Sequence, residues 1–202
     1  MKSPTKLNLR EIVVMASISV VFGVLYLGWI FLGQIVQGVT GPVGHGLMTG
    51  FWIMASIVCA YIIRKPGVAL IAEMIAAGTE ILVGSVSAGS VLILGFTQGL
   101  GAELALALFL YRSYRLPVLM LSGMFGTLAN FITIYFMYGY SQYSSVITGA
   151  MLGAMLLSGA FLAGWGSKAI ADSLSRTGVL DNFTLGKVRR QQRMEKNALS
   201  QD

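Results

Sequence analysis

Residues 64–83 read RKPGVALIAEMIAAGTEILV, two cations and a proline followed by an apolar run whose only charges are Glu73 and Glu80. A run of this kind bounded by cations reads as a helix crossing a bilayer, since roughly 30 Å of hydrocarbon needs about 20 apolar residues in helical form. Glu73 and Glu80 are two helical turns apart, so one side of that helix carries both, interleaved with the small residues Ala76 and Ala77. A carboxylate facing lipid costs a few kcal/mol or more, so this side is expected to turn inward, toward a cavity or another helix.

Outward from this stretch, five more segments have the length and apolarity to span. The set is residues 12–33, 46–63, 66–83, 88–111, 116–138 and 146–170. The chain is 55% hydrophobic and 11% charged, which excludes an ordinary soluble domain. No alternating pattern suggests a barrel, and helices satisfy their own backbone in lipid, so the expected fold is all-α: a polytopic bundle of six transmembrane helices.

The cations fix a topology. Lys2, Lys6 and Arg10 precede the first segment, Arg64 and Lys65 separate the second from the third, Arg112 and Arg115 separate the fourth from the fifth, and the remainder begin at Lys168; together they are all 14 basic residues. The connections at 38–44, 84–87 and 139–145 carry none, which predicts a multi-pass cell-membrane protein with both termini cytoplasmic. Residues 1–172 then form the transmembrane domain and 173–202 a polar, basic, partly helical cytoplasmic tail. The net charge of +6 is thus topological, and no nucleic-acid partner is expected. Trp29, Tyr138, Tyr140 and Tyr143 mark the outer boundary, and Tyr61, Tyr111, Tyr114 and Trp165 the inner one. The first segment is too long, and lacks the small-residue ending, for a cleaved signal peptide.

Three carboxylates lie within the spans: Glu73, Glu80 and, on the fourth, Glu103. Glu80 sits about 6 Å in from the outer end of its helix, the other two nearer the cytoplasm. Gln98 projects about 140° from Glu103, so in a regular helix only one of them lines a given pocket. No Lys or Arg lies mid-span to pair with the acids, and a cationic ligand would supply that partner. Tyr26, Trp29, Phe131 and Tyr135 offer ring faces near the outer half, Asn130, Gln34 and Gln37 offer amides, and His45 is placed in an outer loop after Gly41, Pro42 and Gly44, either solvated or capping a pocket. Glycines four apart, Gly46 with Gly50, Gly95 with Gly99 and Gly149 with Gly153, are mostly expected to serve internal helix packing. Cys59 reads as a small core residue.

Enzyme readings are weak and no catalytic residue, cofactor or metal site is assigned. Gly159 and Gly164 have phosphate-loop spacing, but Trp165 stands where a lysine is needed. One histidine and one cysteine do not make a usual zinc site. The residues alone leave open a binding subunit, a stand-alone proton-coupled transporter relaying protons through the three glutamates, a membrane-embedded acid/base enzyme using those glutamates, and a structural membrane subunit.

With Glu80, the segment QGVTGPVGH at 37–45 and GFTQG at 95–99 in view, the chain resembles the substrate-binding S-component of energy-coupling factor (ECF) vitamin transporters, and looks like the YkoE type for thiamine or its hydroxymethylpyrimidine precursor. The resemblance implies a compact six-helix fold that captures the vitamin at the outer side. It also implies a transmembrane T-component and ABC-type ATPases, with ATP used only by those partners. Many such components present Ala-x-x-x-Ala on the first helix to the T-component. Here Ala16 is followed by Val20, and the nearest small pair is Ser19 with Gly23; the resemblance makes this face the docking candidate.

Overall fold

The computed structural model describes residues 6–199, so Lys2 and the last three residues lie outside it. All regular structure among the described residues is helical. Helix α1 runs Leu9–Thr40, α2 Pro42–Met48, α3 Met54–Ile63, α4 Val68–Val83, α5 Ala88–Leu108, α6 Leu116–Met137, α7 Ser145–Ser158, α8 Ser167–Arg176 and α9 Thr184–Leu199. A 3-10 turn, Thr49–Ile53, joins α2 to α3, and a π-helical segment, Gly159–Gly166, joins α7 to α8.

Among the described residues, five continuous helical stretches are long and apolar enough to cross a membrane: Leu9–Thr40, Pro42–Ile63, Ala88–Leu108, Leu116–Met137 and Ser145–Arg176. Helix α4, read from sequence as a sixth crossing, has 16 residues and spans about 24 Å.

Helix α1 is pinned at its start. Asn8 and Glu11 form a reciprocal capping box, with Glu11 N–H donating to Asn8 Oδ1 at 2.9 Å and Asn8 N–H to Glu11 Oε2 at 2.8 Å. The same Glu11 oxygen receives Lys65 Nζ at 2.7 Å, tying α1 to the connection between α3 and α4.

The expected loop around 38–44 is not there. Helix α1 continues to Thr40, Gly41 alone reverses the chain at φ 68° and ψ −157°, and α2 starts at once with Pro42. Only glycine takes that conformation without strain, and proline is pre-set for a first helical turn. His45 is therefore a half-buried helical residue, not a loop residue.

Helix α3 forms the centre, with all ten of its residues buried among α1, α4, α6, α8 and the π segment. It is apolar all round because protein, not lipid, surrounds it. Helix α4 packs between α1 and α5, and α5 against α6. Small residues set these distances: a Cβ on Gly95 would come 2.6 Å from that of Ala77, and one on Gly99 2.9 Å from that of Glu73. Gly46 and Gly50 likewise abut α7, whereas Gly149 and Gly153 face open space.

The docking face on α1 divides. Ser19 is fully buried near Cys59, and Gly23 packs so tightly that an added Cβ would lie 2.5 Å from the carbonyl oxygen of Ala76 and 2.6 Å from Thr79 Cβ. These two residues hold α1 to the bundle and are not available to a partner. Val20 is exposed and Ala16 half-buried.

The boundary drawn after residue 172 falls inside α8. Beyond it the chain folds back on the bundle: Leu180 and Leu185 are buried, and Thr184 Oγ1 donates to the carbonyl of Ile63 at 3.1 Å.

Candidate functional site

A cavity of about 310 Å³, the size of one small molecule, opens at the end of the bundle where α4 gives way to α5. Helix α1 contributes Tyr26, Gln34 and Gln37, α2 His45, α4 Glu73 and Glu80, α5 Gln98 and α6 Asn130. Eight of the twelve residues expected from sequence thus meet around one space. The two acids reach the same wall because they share a face of α4, and Gly95 lets α5 approach closely enough for Gln98 to join them.

The floor is built on the start of α3, whose first N–H groups have no partner within the helix. Tyr26 Oη accepts from Ala55 N–H at 3.0 Å, and Glu73 Oε2 accepts from Ser56 N–H at 3.2 Å and Ser56 Oγ at 2.8 Å. The positive end of the α3 dipole therefore points at Glu73. Toward the mouth, Glu80 closes α4, with its carbonyl accepting from Ser85 N–H at 3.0 Å. Gln37 Nε2 donates to Tyr140 Oη at 3.3 Å, and the His45 ring lies 5.8 Å from that of Trp52. Asn130 is 3% exposed, and its Oδ1 has no hydrogen-bond partner among the described residues. An amide oxygen buried without a donor is costly, and a ligand N–H entering the cavity would satisfy it.

The family model described as ABC-type cobalt transport system, permease component, matches residues 10–129. The chain is 45% identical over 180 residues to YkoE of Bacillus subtilis (strain 168), named as an HMP/thiamine permease protein, covering 89% of this chain and 90% of that one. A solved structure, described as the crystal structure of an S-component of an ECF transporter, superposes with a TM-score of 0.93 at 42% identity, covering 96% of this chain and 98% of the other. This chain belongs to the YkoE-type ECF S-components. Proteins of this family are transporter components, not enzymes.

Four residues expected at the site of this S-component lie elsewhere. Glu103 is at the other end of α4, where Oε1 accepts from Gly67 N–H at 2.6 Å and Oε2 from Ala69 and Leu70 N–H at 2.9 and 3.3 Å. It caps a helix whose own N-cap, Gly67, has no side chain to do so. Trp29 stacks on Phe51 at 4.2 Å and donates its indole N–H to the carbonyl of Met48 at 3.0 Å. Phe131 and Tyr135 pack against a separate apolar cluster of Ile134, Tyr140, Met151 and Met155.

The S-component also lines its cavity with residues that sequence reasoning passed over: Trp52, Ser85, Ser87, Ser90 and Tyr138. Trp52 follows His45 by seven residues, a spacing that points to one helical face once 42–63 is read as continuous helix. Tyr138 carried the signal of a boundary aromatic. The serines carried no signal. Among the described residues, no three His, Cys, Asp or Glu side chains come together in a way that could hold a metal ion.

Proposed function

We propose that this S-component captures thiamine, or its hydroxymethylpyrimidine precursor, at the extracellular side and passes it to a T-component driven by ABC-type ATPases. The observation that carries the reading is the cavity's polar complement: two carboxylates, several ring faces, the unpaired Asn130 oxygen and no lysine or arginine. Thiamine presents what this complement lacks, a cationic thiazolium ring and the donor amino group of its aminopyrimidine. The named relative supports the same substrate pair.

In this reading α4 is a sixth crossing, shortened because its acidic end opens into the cavity rather than lipid. The cation-rich connections then lie in the cytoplasm with both termini, and the cavity faces outward. The exposed side of α1 that includes Val20 is where the T-component docks. The proton-relay alternative finds no support in the geometry, since Glu103 is engaged at the opposite end of α4 and the three acids line no common path.

Calorimetric titration of the purified chain, stripped of ligand, tests the reading. One-to-one binding of thiamine or hydroxymethylpyrimidine without turnover is expected; a folded protein that binds neither refutes the assignment. Orientation is tested by adding an impermeant maleimide to cells carrying Ser141→Cys or Ser173→Cys. The first is expected to react from outside and the second only after permeabilisation, with native Cys59 silent because it is fully buried.

A further inference from the structure

At the end of the bundle away from the vitamin cavity, the end of α3, residues 112–115 of the connection between α5 and α6, α8 and α9 line a second hollow of about 390 Å³, open on one side. Its lining includes Arg64, Arg112, Arg115, Lys168 and Arg189. One carboxylate answers them. Asp172 pairs with Lys168 at 2.6 Å and with Arg189 at 2.8 Å, and also accepts from Tyr61 Oη at 3.0 Å. Arg64, Arg112 and Arg115 have no carboxylate within ion-pair distance among the described residues.

Two further features show how this hollow is organised. The Arg64 guanidinium lies over the rings of Tyr61 and Tyr114, at 5.1 and 5.3 Å from their centroids, and its Nε donates to the carbonyl of Tyr61 at 3.2 Å. This fixes the plane of the group while leaving its terminal nitrogens without a carboxylate. Tyr114, in the same wall, is 7% exposed, and its hydroxyl has no partner among the described residues. Gathering cations around one hollow costs folding free energy through repulsion, and an anion in the hollow relieves it.

We propose that this hollow binds a phosphate group, carried by an anionic phospholipid or free as inorganic phosphate. Guanidinium forks match phosphate oxygens in pairs, and the Tyr114 hydroxyl adds a donor to the same tetrahedral anion. The π-helical segment exposes Trp165, and α8, which supplies Lys168, exposes Ile170, apolar side chains suited to acyl chains beside a headgroup. The inference is independent of which vitamin the other cavity holds.

Two probes test it on the full chain in detergent. Micelles doped with phosphatidylglycerol or phosphatidylcholine are followed by native mass spectrometry, and inorganic phosphate is titrated calorimetrically. Each is run on the parent chain, on Arg112→Gln/Arg115→Gln, whose side chains are exposed and have no carboxylate partner, and on Tyr114→Phe, which keeps the ring beneath Arg64. Retention of phosphatidylglycerol over phosphatidylcholine by about tenfold or more, lost in the double variant and weakened in Tyr114→Phe, is expected for a lipid phosphate. Phosphate heat that disappears in the same variants identifies the free anion as a source. Equal retention of the two lipids with no phosphate heat, or binding unchanged in both variants, overturns the proposal.

Discussion

Replacing Glu103 separates two roles that the sequence left together, ligand contact and structural support. Its carboxylate accepts three N–H groups at the start of α4, from Gly67, Ala69 and Leu70. A lost helix cap costs about 1 kcal/mol, and hydrogen bonds to a charged acceptor about 1.5–3 kcal/mol each, with some of the loss recovered when water reaches Gly67. Glu103→Ala is therefore expected to cost about 3 kcal/mol, or a fall of about 6–12 °C in Tm for a chain of this size. Glu103→Gln keeps one of the two accepting oxygens and turns the other position into a donor facing donors, so about half that loss is expected. Thermal unfolding of the purified variants in one detergent measures both, and calorimetry well below melting is expected to find vitamin affinity within about threefold of the parent. If Glu103→Ala melted within about 1 °C of the parent while affinity fell tenfold or more, the capping assignment would be wrong and Glu103 would belong to the binding site.

The remaining expectations concern both ends of the molecule. Glu80→Gln is expected to weaken thiamine binding by about 10- to 100-fold, the worth of one charge-assisted contact, and that of uncharged hydroxymethylpyrimidine by less; equal losses by calorimetry would remove Glu80 from the neighbourhood of the cation. Asn130→Leu removes an oxygen that has no partner among the described residues, so thermal stability should hold or rise by about 1 kcal/mol while affinity drops about five- to tenfold. A stability loss with unchanged affinity would show that the amide serves packing alone. Lys65→Met leaves Glu11 buried without its cation and is expected to cost about 3–5 kcal/mol, most of it recovered in Lys65→Met/Glu11→Gln; equal melting of the single and double variants would mean the pair is not coupled. Gly50→Val forces a side chain into the backbone of Ser158, where a Cβ would already lie 2.6 Å from the carbonyl carbon, and about 1–3 kcal/mol or more should be lost in the same melting assay.

Much of this arrangement was legible in the chain because it depends on local properties. Apolar length marked the helices, and the spacing of Glu73 and Glu80 placed both acids on one side of α4, where they do line a common cavity. The opposition of Gln98 and Glu103 on α5 also follows from helical pitch alone: Gln98 faces the cavity and Glu103 does not. His45 was misplaced because glycine and proline in succession read as a loop, whereas a single positive-φ residue, Gly41, suffices for the reversal. Ser19 and Gly23 read equally well as an outer or an inner face, and only their contacts with α3 and α4 settle it.

The sequence by itself determined that the chain is an apolar helical bundle, roughly where its long apolar helices run, which polar residues they carry and how those are spaced along each helix. Tertiary structure decided which of them meet: that Tyr26 rather than Trp29 enters the cavity from α1, that Trp52 joins it, and that Glu103 caps a neighbouring helix. The reason is physical. In a membrane both the lipid-facing and the protein-facing sides of a helix are apolar, so pattern along the chain fixes depth and pitch but not rotation, and rotation is set by the close packing of small residues between helices.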